Sequence, residues 1–202
     1  MSGSGAEPSG DQDTPGPREA LLARAIGWFA EHGVGDTSLR TLAAGLGTSH
    51  RMVIYHFGSR EGLLSAVVEA VERGERAALE EVLAAHSDPF EAGRAFWDHV
   101  ADRAQVFAPL FFELSGLAIQ GAPFAGSLRH WLATGWVDDL ARAYQLSGVE
   151  PERAVRLARL SLGAARGVLL ELAATGDRAA ADAAMAELTD LVRNGTTPRR
   201  DR

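Results

Sequence analysis

From residue 18 to residue 193 the apolar side chains recur three and four positions apart, and no run alternates long enough to make a strand. A chain patterned this way buries its hydrophobic surface along helix faces, so the expected fold is all-α with about nine helices. Breakers and capping residues mark their limits. Pro17, Arg18 and Glu19 open a first helix whose apolar face is Leu22, Ala25, Ile26 and Phe29, and Gly33 and Gly35 end it. Asp36, Thr37 and Ser38 offer a capping oxygen to a short second helix with Leu39, Leu42, Ala43 and Leu46, stopped by Gly47. Thr48 and Ser49 cap a third, to about His56, and Gly58 with Ser59 resets the chain for a fourth bearing Leu63, Leu64, Val67, Val68 and Val71. Asp88 and Pro89 start a fifth with Phe96, Trp97 and Val100, and a sixth carries Phe107, Leu110, Phe111, Leu114 and Leu117. Pro123 breaks the chain before a seventh with Trp131, Trp136 and Tyr144. Gly148 and Pro151 introduce an eighth, to about Thr175, and Gly176 and Asp177 a ninth with Met185, Leu188, Leu191 and Val192 on one face.

Several function classes drop out on composition. There is no cysteine, which removes disulfides, thiolate catalysis and cysteine-based zinc or iron–sulfur sites. All 20 basic residues are arginine, so the lysine of a nucleotide-binding phosphate loop is missing too. The six histidines, at 32, 50, 56, 86, 99 and 130, form no metal-binding helix pair, and Asp98 and His99 point to different helix faces. GLGTSH at Gly45 has His50 where a dinucleotide loop needs its third glycine, and no strand precedes it. No catalysis, metal or cofactor is expected. The opening MSGSGAEPSGDQDTPGP lacks the apolar core of a secretory signal, and the longest apolar stretch, Val106 to Leu117, is cut by Glu113 and too short for a membrane span. A soluble, cytoplasmic protein without a membrane partner is expected.

The net charge of −7 argues against a nucleic-acid partner, but the deficit is uneven. Residues 1–17 carry −3 and residues 65–202 carry −5, whereas 18–64 carry +1. Within that segment Ser38 to Gly58 is the most informative stretch. Two helices crossing steeply over a tight turn need a small residue on the first and a turn residue that tolerates positive φ, and Ala43 and Gly47 meet both demands. Leu42, Leu46 and Val53 then pack inward, while His50, Arg51, Met52, Tyr55 and His56 point outward, as a helix entering a major groove requires. Arg51 suits a bidentate pair with guanine and Met52 a thymine methyl. Tyr55, Arg60 and Arg40 suit phosphates. Singly, each such residue is also explained by a solvated helix face, and the hairpin by packing alone in a scaffold or drug-binding protein; the mutually consistent offsets favour DNA.

The run AIGWFAEHGVGDTSLRTLAAGLGTSHRMVIYHFGSREGLLSAVVE, Ala25 to Glu69, resembles the N-terminal DNA-binding region of TetR/AcrR transcriptional regulators. Phe29-Ala30-Glu31-His32-Gly33 and Tyr55-His56-Phe57-Gly58-Ser59-Arg60-Glu61 carry most of the likeness. It departs from the family pattern at Met52, where Thr is common, and at Ile54, where Tyr is common. The resemblance implies a ligand-responsive repressor that binds a palindromic double-stranded operator as a homodimer, in the cytoplasm at the nucleoid, and is released by a small molecule. It puts Arg40, Ser49, His50, Arg51, Met52, Tyr55, His56 and Arg60 at the operator. The implied organisation is a disordered tail (1–17), a helix-turn-helix DNA-binding domain (18–64), a larger ligand-binding and dimerisation domain (65–193) and a flexible tail (194–202).

In the larger part, the eighth helix is apolar nearly all round from Leu160 to Leu172, with Gly163, Ala164, Ala165 and Gly167 keeping its surface shallow. It needs cover on more than one side, from its own subunit or, as in the resembled family, from a symmetry mate. The expected dimer interface is Leu160, Ala164, Val168, Met185, Leu188 and Val192. Trp97, Phe107, Phe111 and Trp131 are expected to surround a small apolar or aromatic effector oriented by Glu113 and Arg166, although such aromatics also serve as plain core.

Overall fold

The computed structural model describes residues 15–35 and 37–196, and every regular element among them is helical. The expected tails therefore fall largely outside the described residues, as does Asp36. Asn194 is an exception, because it lies within the last helix.

Helices α1 (Pro17–His32), α2 (Leu39–Gly45) and α3 (His50–Phe57) form the N-terminal unit, and α4 (Arg60–Ala85) leads out of it. Three serines start the last three of these helices. Ser38 Oγ accepts from Thr41 N at 3.1 Å, Ser49 Oγ from Met52 N at 3.2 Å and Ser59 Oγ from Gly62 N at 3.0 Å. Each satisfies an orphan amide of a first turn and contributes about 1 kcal/mol. Gly47, at φ 59°, makes the turn between α2 and α3 in a conformation costly for any residue with a Cβ. Gly45, an unfavourable residue inside a helix, has a packing reason: a Cβ there would stand 2.4 Å from Trp28 Nε1. Leu42, Leu46 and Val53 close the hairpin, each at most 5% exposed, with Leu22, Ala25 and Phe29 of α1 beneath them.

The remainder comprises α5 (Pro89–Asp102), α6 (Ala104–Ile119), α7 (Gly126–His130), α8 (Val137–Leu146), α9 (Pro151–Thr175) and α10 (Arg178–Thr196). The seventh helix expected from the sequence is interrupted: a 3₁₀ turn at Pro123–Ala125 precedes α7, and a π turn at Trp131–Gly135 separates α7 from α8. Gly135 permits that turn, since a Cβ would meet Trp131 Cδ1 at 2.5 Å. The largest hydrophobic core runs without a break from Leu21 through Leu63, Leu64 and Val67 of α4 to Leu110, Leu114, Trp131 and Trp136. The helix-turn-helix is thus fused to the larger part through α4 and α6. A second core joins α5 and α6 to α9 and α10, and a third joins α8 to α9 and α10.

Candidate functional site

Helix α3 stands on the surface with its inner face anchored by Val53 and Phe57, which are 1% and 9% exposed. Arg18 secures its C-terminal end, with Nε 3.4 Å from His56 O and the guanidinium 5.2 Å from the centre of the Phe57 ring. His50, Arg51 and Met52 are turned to solvent, Tyr55 is 78% exposed, and Arg40 is exposed on α2. These five form one polar and aromatic surface on a rigid, capped helix pair, an arrangement able to enter a DNA groove. Ser49 is exposed as well, with its hydroxyl engaged as the α3 cap. His56 is half-buried beside Tyr55.

Arg60 and Glu113 fall elsewhere than the sequence reading expects. The Arg60 guanidinium turns into the loop between α1 and α2, where Nε donates to Thr37 O at 3.0 Å and Nη2 to Val34 O at 3.0 Å and to Gly35 O. It braces the hairpin through these three carbonyls. Glu113 lies outside the aromatic cavity. Its carboxylate reaches from α6 to the same loop and accepts from Val34 N at 2.7 Å and Gly35 N at 2.5 Å. Two charged side chains, from α4 and α6, therefore clasp both the carbonyls and the amides of residues 34 and 35. Nothing in the 3–4 spacing of α6 signals this, because the partners are backbone groups 78 and 79 residues away.

Six and two residues before Glu113 on α6, Phe107 and Phe111 face a cavity of about 230 Å³. Trp97, Trp131 and Arg166 also line it, together with Phe96, Trp136, Tyr144 and several aliphatic side chains. The rings meet edge to face or tilted: Phe111 to Trp131 at 5.5 Å, Trp131 to Trp136 at 5.9 Å and Phe96 to Trp136 at 5.3 Å. Polar side chains break the apolar wall at several points. Tyr144 Oη and Ser161 Oγ bond each other at 2.9 Å. Asp139 is paired with Arg76 at 3.1 Å. Arg166 donates to Leu132 O at 3.0 Å, and burial lowers its pKa. Glu75 of α4, 5% exposed, has its pKa raised by burial against the opposing pull of Arg103 and His99. Nothing in the sequence marks out Glu75, one of six glutamates in a 26-residue helix, from its solvated neighbours.

The residues expected at a dimer interface divide. Leu160 is 63% exposed, and Ala164 and Val168 are half-buried. Met185, Leu188 and Val192 turn inward and line the cavity of their own protomer. The outward stripe is instead Leu160, Gly163, Gly167 and Leu170 on α9 beside Ala180, Ala184 and Leu191 on α10, with Leu170 53% and Leu191 62% exposed. Helix α10 carries two apolar stripes. The bulkier one is drawn to the interior, where it excludes more water. Among the described residues no single helix is long and apolar enough to cross a membrane, and no acid or histidine cluster is arranged to hold a metal.

A surface helix pair of this geometry, fused to a larger helical body with an apolar cavity, defines a helix-turn-helix protein with a second helical part. Residues 21–67 match the family of bacterial regulatory proteins, tetR family. No curated protein sequence matches the chain significantly. Solved structures with the same fold include a transcriptional regulator from Rhodococcus sp., at 21% identity and TM-score 0.77 over 89% of this chain and 97% of that one. PfmR from Thermus thermophilus, a TetR family transcriptional regulator, is 25% identical, with TM-score 0.65 over 88% of this chain and 99% of its own. FadR from Thermus thermophilus, a TetR family repressor in complex with lauroyl-CoA, is 16% identical, with TM-score 0.63 over 91% and 97%. The N-terminal segment is thus a tetR-family DNA-binding region, and the chain has the fold of a TetR-family transcriptional regulator.

Proposed function

We propose that this chain is a repressor that holds a palindromic operator as a homodimer and lets go when a small apolar or aromatic molecule enters the cavity. The observation that carries this reading is the double use of α6, which lines the cavity with Phe107 and Phe111 and grips the helix-turn-helix loop with Glu113. A ligand that displaces those rings moves the helix that fixes Val34 and Gly35. Because ligand and operator then prefer different arrangements of one loop, each weakens the binding of the other. Pro109, inside α6 beside the cavity, lacks an amide N–H and so softens the helix where it would bend.

Arg40, Ser49, His50, Arg51, Met52 and Tyr55 form the DNA surface in this reading, with Arg51 on base edges and Tyr55 on phosphate. The N-terminal unit of residues 18–64 binds DNA, and residues 65–193 bind ligand and partner. Dimerisation joins the outward stripes of α9 and α10, whose glycines and alanines allow close approach. It doubles the few basic contacts of an acidic chain and spaces two α3 helices by one DNA turn, roughly 34 Å. The reading assigns the chain no catalysis and puts it at the nucleoid. Selection of DNA from a random pool by the full chain tests it. Enriched sequences should be two-fold symmetric, and binding should weaken steeply with salt. Recovery of no consensus would refute it.

A further inference from the structure

The charged side chains among the described residues of the cavity wall are Glu75, Asp139 and Arg166, and they differ in what the protein offers them. Glu75 stands 3.3 Å from Arg103 and 3.5 Å from His99. Asp139 pairs with Arg76 at 3.1 Å, and the same guanidinium lies over the ring of Trp136. Each acid is therefore answered by a cation. Arg166 has no such counterpart. It is half-buried on α9, no carboxylate among the described residues pairs with it, and its one bond runs from Nη1 to Leu132 O at 3.0 Å. Burial alone pulls its pKa down, with no acid near enough to oppose the shift. A guanidinium has five N–H donors and a full charge, so holding it partly out of water without a counter-ion carries a cost that a bound anion offsets.

The uncharged polar groups of the wall also have donors to spare or donors already committed. Tyr144 Oη and Ser161 Oγ share one hydrogen bond, which uses one of their two hydroxyl protons and leaves the other without an acceptor. Trp97 Nε1 donates to Asp182 at 2.7 Å and Thr189 Oγ1 to Met185 O at 2.8 Å. Trp131 Nε1 is buried without an acceptor, enclosed where a ligand does not reach it. A ligand that brings a second cation would repel Arg166. A carboxylate matches it, because two oxygens fit the fork of a guanidinium.

Resting on the reading of this cavity as the effector site, we propose that its ligand is a compact apolar carboxylic acid, bound as the anion with its carboxylate on Arg166. Its hydrocarbon or aromatic body sits among Phe111, Trp131 and Trp136, and the pairs made by Glu75 and Asp139 stay closed. Three probes sharing one body test this by calorimetry on the full chain at neutral pH: phenylbutyrate, phenylbutanol and phenylbutylamine. Phenylbutyrate should bind about tenfold more tightly than the alcohol, the effect of charge-assisted hydrogen bonding, and the amine more weakly than either. Arg166→Gln keeps a donor for Leu132 O but no charge, and should bring acid and alcohol within about threefold of each other. Arg166→Lys restores a cation and should keep the acid ahead. Tyr144→Phe, a change elsewhere in the wall, should move all three affinities together. Binding heats in two buffers of different ionisation enthalpy should agree, since the anion enters without a proton. Alcohol or amine binding as tightly as the acid overturns the assignment of ligand class. So does a preference for the acid that survives Arg166→Gln, uptake of a proton with the acid, or heat from none of the three. Failure of the regulator reading shows separately, as a chain that takes up the acid yet enriches no DNA sequence.

Discussion

The α3 surface and the α9–α10 face differ in what they leave to solvent. Helix α3 exposes His50, Arg51 and Tyr55, groups that water satisfies while no partner is bound. Helices α9 and α10 expose Leu160, Leu170 and Leu191 around glycines and alanines, groups that water does not satisfy. A polar surface on a well-packed helix pair can stand alone and meet its partner reversibly, whereas an apolar stripe of that extent needs lasting cover. In the proposed reading the apolar stripe makes the lasting association and the polar surface the reversible one. Between the two lies α6, which belongs to neither surface and touches the cavity and the Val34–Gly35 loop.

The largest expected effect comes from attacking the apolar face. Leu170→Asp sets a carboxylate and its two-fold copy into the predicted interface, and an unpaired buried charge costs about 3–5 kcal/mol. Sedimentation should give a monomer at micromolar concentration, with DNA retention lost although α3 is untouched. A surviving dimer would break the comparison. Next come the two clasping side chains. Glu113→Ala and Arg60→Ala each remove hydrogen bonds to a charged group and should lower stability by about 2 kcal/mol in a denaturant melt. Glu113→Ala should also leave ligand binding to the cavity unchanged while blunting release from DNA; unchanged release would cut the proposed link through α6. The smallest effect sharpens the account of the hairpin itself. By helix propensity Gly45→Ala should gain about 1 kcal/mol, but the clash with Trp28 should turn this into a loss of about 1 kcal/mol, visible as a lower Tm.

The hairpin was legible because its determinants are local. Gly47, Ala43, the serine caps and the inward trio Leu42, Leu46 and Val53 act within about twenty residues, so their spacing alone predicts the crossing and the exposed set on α3. The aromatic cavity was half legible. Trp97, Phe107, Phe111 and Trp131 can be picked out by size and apolarity, but Glu75 becomes special only when α5 and the α5–α6 junction bring His99 and Arg103 against it. Glu113 misled for the same reason: its position two residues from Phe111 suggested the cavity, yet the helical turn between them sends it to the opposite side, toward α1.

Helix content, the helix-turn-helix and the likeness to tetR-family regulators follow from the amino-acid sequence by itself, since periodicity, caps and turn glycines act over a few residues and need no distant partner. Three things were left to tertiary structure: which of the two apolar stripes of α10 faces inward, where the charges of Arg60 and Glu113 find partners, and which polar atoms end up buried without one. Each depends on groups far apart in the chain whose desolvation is fixed only when all the helices have packed, and a one-dimensional pattern carries no record of that cost.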